Sequence, residues 1–209
     1  TYPFLLNGRW VSEGRRVEIR APWDRNVVGV VFEGARQHAE AAIEAAVRAF
    51  QTTRRLPAYE RQRVLRRVAQ SLTERREEFA RVLAQEAGKP IKTARAEVER
   101  AILTFSVAAE ESTRVGGEYL PLDVHESGTG RWGMVRRFPL GAVSAITPFN
   151  FPLNLPAHKI APAIACGCTL VLKPAPQDPL VALMLAEVVQ QAGWPDGALN
   201  VVPLSNEAA

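Results

Sequence analysis

The stretch Gly141-Ala-Val-Ser-Ala-Ile-Thr-Pro-Phe-Asn-Phe-Pro-Leu-Asn-Leu-Pro-Ala-His-Lys-Ile-Ala-Pro-Ala-Ile-Ala-Cys-Gly-Cys-Thr-Leu-Val-Leu-Lys-Pro174 decides the fold. Its opening apolar run, Gly141–Ile146, reads as a strand. Thr147-Pro-Phe-Asn-Phe-Pro152 follows, with Asn150 between two prolines. Each proline fixes its own φ and restricts the residue before it, so Asn150 sits in a stiff elbow. Leu153–Ala165 reads as a helix despite Pro156 and Pro162, and Thr169–Leu172 as a second apolar strand ending in Lys173-Pro174.

Working outward, the pattern continues with a helix over Leu180–Ala192 and a strand over Leu199–Pro203. Strand, helix, strand, helix, strand implies a parallel, doubly wound α/β sheet. That sheet is expected to end at Leu199–Pro203 with an unpaired edge. Upstream, residues 1–33 read as short strands broken by Asn7-Gly8 and Pro22-Trp-Asp24. Residues 36–113 read as helices, with breaks at Pro57 and at Gly88-Lys-Pro90. Residues 115–138 change to turns and alternation, ending in Met134–Phe138, and read as a hairpin.

The chain has 209 residues, 47% hydrophobic and 23% charged, which suits one large globular domain or parts of two. No stretch is long and apolar enough to span a bilayer, and Thr1-Tyr-Pro-Phe4 has no charged-then-apolar leader. Two cysteines, Cys166 and Cys168, are too few and too close for a disulfide framework, so a reducing cytoplasm is expected. The formal charge of +4 comes from arginine, with eight between Arg54 and Arg76. They surround a helix whose apolar face holds Val64, Leu65, Val68 and Leu72, with Glu60, Glu74, Glu77 and Glu78 nearby. A solvated, ion-paired face accounts for them better than a nucleic-acid patch, since no glycine-rich or aromatic-interleaved basic segment accompanies them.

Gly128-Thr-Gly130-Arg-Trp-Gly133 fits G-x-G-x-x-G by spacing. A dinucleotide fingerprint needs a strand before it and a helix after it, and Met134–Phe138 reads as a strand. A hairpin turn is the better reading. Asn150 has two readings: it caps the helix that follows, or its amide, held just past a strand end, donates to an oxyanion. Lys173 likewise is either a solvated strand-end lysine or a cation placed to meet a nucleotide's ribose or phosphate. Cys166-x-Cys168 is too little for zinc, and His38, His125 and His158 are scattered.

Several segments together resemble the aldehyde dehydrogenase superfamily. The 141–174 stretch carries most of the likeness. Phe4-Leu-Leu-Asn-Gly-Arg-Trp10, Ala21-Pro-Trp-Asp-Arg-Asn-Val-Val-Gly-Val30, Gln85-Glu-Ala-Gly-Lys-Pro90 and Gly193-Trp-Pro-Asp-Gly-Ala-Leu-Asn-Val-Val202 agree with it. The resemblance covers essentially the whole chain but less than half of the family's usual length. It implies the first half of an aldehyde-dehydrogenase-type Rossmann-like parallel sheet. Residues 1–119 are then the N-terminal strands and helices of the cofactor domain, 120–139 an oligomerisation hairpin and 140–209 the βαβαβ part of the NAD(P)-binding domain. The catalytic domain is absent.

The resemblance implies an enzyme that oxidises a small aldehyde to a carboxylate. A cysteine thiolate attacks the carbonyl, hydride passes to the nicotinamide, and a glutamate activates water to hydrolyse the thioester. The asparagine matching Asn150 holds the oxyanion of the thiohemiacetal. The residues matching Ile146, Thr147, Pro148 and Phe149 border the cofactor's ribose and nicotinamide side, and the lysine matching Lys173 contacts the adenosine ribose. Lys159 matches a family lysine near the same face. Members that prefer NAD often carry a glutamate where this chain has Pro176, so NADP stays open beside NAD. The family's nucleophile and base lie outside these residues. Cys166 and Cys168 are therefore expected as small buried residues at a helix end, and Glu86 and Lys89 as salt-bridged residues at a helix-ending turn. The expected assembly is a homodimer or homotetramer, with neither nucleic acid nor membrane as partner. The substrate is undetermined, with likeness to members acting on lactaldehyde, phosphonoacetaldehyde or glyceraldehyde 3-phosphate. The alternative is a non-catalytic fragment that serves only as a binding or structural module.

Overall fold

The computed structural model describes residues 1–208. Its elements in chain order begin with strands β1 (Phe4–Leu6), β2 (Arg9–Val11), β3 (Arg15–Arg20) and β4 (Val27–Glu33). Helices α1 (Arg36–Thr53), α2 (Ala58–Glu74), α3 (Arg76–Ala87) and α4 (Ile91–Glu111) follow. Next come β5 (Glu118–Pro121) and β6 (Trp132–Val135). The chain then runs through β7 (Ala142–Ile146), α5 (Asn154–Cys166), β8 (Thr169–Lys173), α6 (Leu180–Gln191) and β9 (Leu199–Val201).

The apolar runs become a parallel sheet as their composition requires. β7 pairs with β8 from Ala142↔Thr169 to Ile146↔Lys173, and β8 pairs with β9 from Leu170↔Leu199 to Leu172↔Val201. Alternation sorts their side chains. Thr169 donates to the carbonyl of Ala46 at 2.9 Å and so faces α1, while Leu170 and Leu172 point to the other face, toward α5 and α6. Outside that second layer, α2 packs on α5 and α6, α4 on α5, and α3 on α6. The core is continuous from the sheet through these layers, with Phe79, Phe105, Leu65 and Leu72 fully buried among the outer helices.

The expected open edge at Leu199–Pro203 is not open. β1 pairs antiparallel with β9 at Leu5↔Val201, giving the order β2-β1-β9-β8-β7. Asn7 and Gly8 both have positive φ, 49° and 76°, the geometry that lets a tight hairpin turn follow the twist of its strands. That turn folds β2 back on β1. The fully buried Asn200 fastens the turn: its Oδ1 accepts from the Asn7 N–H at 2.8 Å, and its Nδ2 donates to the carbonyls of Gly197 and Ala42. Among the described residues, the edges without a strand neighbour in this sheet are therefore β7 and β2.

Helix boundaries follow local chemistry. Pro57 and Pro90 sit just before α2 and α4, and Gly88 ends α3 with φ 65°, a left-handed cap that glycine adopts readily. A further break at Arg75 separates α2 from α3 where no glycine or proline signals one; the Arg75 side chain there holds Glu78 and Glu187 at 2.8 and 2.9 Å. β5 and β6 form the hairpin, with Tyr119↔Met134 and Pro121↔Trp132 in register. Its strands are shorter than the 120–139 segment and begin at Glu118. Residues 128–133 belong to its turn and second strand. No helix among the described residues is long and apolar enough to cross a membrane.

Candidate active-site elbow

The parallel pairing decides where the site lies. Ile146 and Lys173 are register partners at the C-terminal ends of β7 and β8, and the Thr147 N–H donates to the Lys173 carbonyl at 3.1 Å. In open α/β sheets ligands bind at this end of the strands. Ile146 and Phe149 are exposed apolar side chains there, Pro148 is exposed, and Thr147 is buried beneath them.

Asn150 is exposed, and its side chain makes no hydrogen bond among the described residues. It does not cap α5. The first N–H groups of that helix, at Leu153 and Asn154, donate to Glu97 Oε1 at 3.0 and 3.1 Å. Glu97 reaches them from α4 and is almost fully buried. Its Oε2 accepts from Lys89 Nζ at 2.5 Å, and the same ammonium donates to the Asn150 carbonyl at 2.6 Å. The free amide of Asn150 is thus carried on a backbone that is held from behind.

Lys173 is buried, and its Nζ donates to Asn206 Oδ1 at 2.9 Å. Burial lowers its pKa below the ordinary lysine value, with nearby Glu33 opposing. Two of the ammonium's three donors have no partner among the described residues. Pro176 is half-buried on the loop that leads to α6 and brings no charge. Lys159 is exposed on α5 beside an open cleft of about 390 Å³ along the free edge of β7, which Val143, Ile146 and Pro162 also line.

A family model described as "Aldehyde dehydrogenase family" matches residues 10–209. The chain belongs to the aldehyde dehydrogenase family. It is 38% identical over 201 residues to a 3-sulfolactaldehyde dehydrogenase from Priestia aryabhattai, covering 96% of this chain and 42% of that protein. Aldehyde dehydrogenase 21 from Physcomitrella patens, solved with the reaction product succinate, superposes with a TM-score of 0.96 at 44% identity, covering 99% of this chain and 44% of that one. An NADP-dependent glyceraldehyde-3-phosphate dehydrogenase from Bacillus halodurans, solved with NADP, gives 0.94 at 36% identity, covering 99% and 44%. The chain spans about two fifths of the length of these relatives.

Within this aldehyde dehydrogenase portion, three expectations are corrected. Lys89 is salt-bridged as expected, to Glu97, but Glu86 is not: it accepts from the N–H groups of Leu180 and Val181 at 2.8 and 3.0 Å and closes the start of α6. The turn sequence placed both residues together but not their partners, which come from other elements. Cys168 is buried as expected, but Cys166 is exposed, at the last residue of α5. Partial desolvation raises the Cys166 thiol's pKa, with Cys168 adding and Arg61 opposing, the reverse of an activated nucleophile. The sheet edge at β9 is the third, as described above. No group of His, Cys, Asp and Glu suited to a metal ion occurs among the described residues.

Glu97, Asp178 and Asn206 were not singled out from the sequence. A signal for Glu97 and Glu86 exists: α5 and α6 follow Leu153 and Pro179, which cannot cap, so each needs an acceptor from elsewhere. Asp178 is buried with Oδ1 unpartnered. Burial pushes its carboxyl up to about 7, with Lys89 opposing and Glu97 adding. Burial pushes Glu86 up to about 8, against the two N–H donors that favour its ionised form.

A folded-state pKa above the unfolded value means that the stabilisation is complete below about 4.5 and is lost as pH rises through about 8. Glu86→Gln removes that loss. Measured by chemical denaturation, the variant is expected to gain stability relative to wild type between pH 5 and pH 8. A difference that stays constant over this range contradicts the assignment.

Proposed function

We propose that this chain supplies the oxyanion-binding amide and the adenosine side of the cofactor site in an NAD(P)-dependent aldehyde dehydrogenase acting on a small aldehyde. The observation that carries the reading is the exposed, unbonded amide of Asn150 at the same sheet end as Lys173. An amide held on a rigid elbow is prepaid for charge that develops on an attacked carbonyl oxygen, and costs no reorganisation when it forms. Small aldehydes are the substrate class in the names of the Priestia and Bacillus halodurans relatives.

The residues fit a nicotinamide dinucleotide. Lys173 keeps two donors for ribose hydroxyls or phosphate oxygens, and Ile146 and Phe149 offer apolar surface beside it. When bound, the cofactor supplies the hydride acceptor. Thr147 stays buried and hydrogen-bonded to the backbone of β8, so its part is to hold the floor of this surface while Ile146, Pro148 and Phe149 present it. The nucleophilic cysteine and the general base come, on the family's pattern, from the part of the relatives that this chain does not span. On that reading these 209 residues do not complete the reaction by themselves.

The hairpin of β5 and β6 is the proposed assembly surface of a homodimer or homotetramer. Tyr119, Trp132, Met134 and Phe138 are exposed on it, 58–71% accessible, more apolar surface than an isolated hairpin keeps without a partner.

Three outcomes are expected in the enzyme that contains this chain. Asn150→Ala lowers kcat by about 10²–10³-fold, as loss of one oxyanion donor does, with cofactor affinity little changed; an unaltered kcat refutes the role. NADP is used at least comparably to NAD, because Pro176 leaves no carboxylate to repel a 2′-phosphate, and Pro176→Glu shifts kcat/KM toward NAD. Strong NAD preference in the wild type counts against Pro176 as the determinant. Tyr119→Lys with Met134→Lys reduces the particle mass seen by sedimentation, and an unchanged mass removes the hairpin from the interface.

A further inference from the structure

We propose that Lys89 and Glu97 are positioning residues that fix the orientation of Asn150, an inference that rests on the reading of Asn150 as the oxyanion donor. The elbow has few backbone bonds of its own. Pro148 and Pro152 have no N–H to give, and between the Thr147 N–H bond to β8 and the Phe151 carbonyl's bond from Leu155 a turn at Phe149–Asn150 ties the backbone only to itself, with no backbone bond to another element among the described residues. Prolines restrict dihedral angles but do not fasten a loop to its surroundings.

Lys89 and Glu97 provide that fastening at four places between Asn150 and Asn154. The Lys89 ammonium holds the Asn150 carbonyl at 2.6 Å and stands 4.5 Å from the centre of the Phe151 ring. Glu97 holds the N–H groups of Leu153 and Asn154. The two grips are one unit, because Lys89 Nζ and Glu97 Oε2 are 2.5 Å apart. Each of the ammonium's three N–H directions then has a destination: a carboxylate, a carbonyl and an aromatic face. Arg100, 5.5 Å from the centre of the same ring, closes Phe151 from α4. The Glu97 carboxylate is 1% exposed and Lys89 15%, so water competes little for these bonds.

The unit is well placed for positioning and badly placed for chemistry. It touches the backbone of Asn150 and makes no bond to its exposed side-chain amide. Displacing the carbonyl of Asn150 swings its amide away from any oxygen it serves, and misplacement by about 1 Å costs up to about 10²-fold in rate.

The test uses the whole enzyme that contains this chain and compares Lys89→Met, Asn150→Ala and the double variant, with Glu97→Gln as a second probe that removes the ion pair while keeping an oxygen for the start of α5. Lys89→Met and Glu97→Gln are expected to lower kcat by about 10–100-fold with KM for the aldehyde within about twofold. In the Asn150→Ala background, Lys89→Met is expected to cost less than about twofold more, since the donor it orients is gone. A full multiplicative loss in the double variant, or variants that lower only the melting temperature, overturns the positioning role and leaves Asn150's role standing. If Asn150→Ala keeps full kcat, the reading of Asn150 falls and the positioning role falls with it.

Discussion

Neither helix that follows a parallel strand begins with a residue able to close it. α5 starts after Leu153 and α6 after Pro179, and both starts lie in the interior. An unpartnered buried N–H costs about 1–3 kcal/mol, so these helices depend on acceptors from elsewhere. Glu97 of α4 and Glu86 of α3 provide them, two N–H groups each. The outer helices are thereby joined to the sheet layer at the strand ends where the candidate site lies. The contact is polar and directional, so it fixes register as well as distance, which apolar packing alone does less sharply.

The arrangement concentrates buried charge near one end of the sheet. Glu86, Glu97 and Asp178 share the neighbourhood with a single lysine, Lys89. Lys89 is paired with Glu97, and burial makes Glu86 and Asp178 resist ionisation, with Lys89 opposing it at Asp178. The same end holds Lys173 beside Asn206. Glu86, Glu97 and Lys89 each hold a backbone group, and burial of Glu86 and Asp178 is offset by protonation rather than by exposure to water.

Much of this was legible in the sequence. The apolar runs at Ala142–Ile146 and Thr169–Leu172 and the elbow between them announce the parallel sheet and place Asn150 and Lys173 at its end. The alternation from Met134 onward announces the hairpin. What was hidden depends on partners far apart in sequence. A three-residue strand at Phe4–Leu6 gives no sign that it will cover β9. The break at Arg75 rests on a side chain reaching Glu187 on another helix. Glu86 and Lys89 stand together at a helix-ending turn, and nothing local shows that one meets the backbone at the start of α6 and the other Glu97. The capping reading of Asn150 was chemically sound, but Glu97 already fills the place that a cap would take.

The closure of the sheet by its first strand has a consequence for how the chain is made. The Asn7 N–H finds its acceptor 193 positions later. A ribosome adding about 5–20 residues per second needs roughly 10–40 s to cover that distance. Throughout that interval Phe4 and Leu5, both destined for the interior, have no sheet to join, and α1 waits for strands that do not yet exist. The β1–β2 segment is thus synthesised long before the strand that covers it, so nascent-chain chaperones have a ready target in these residues.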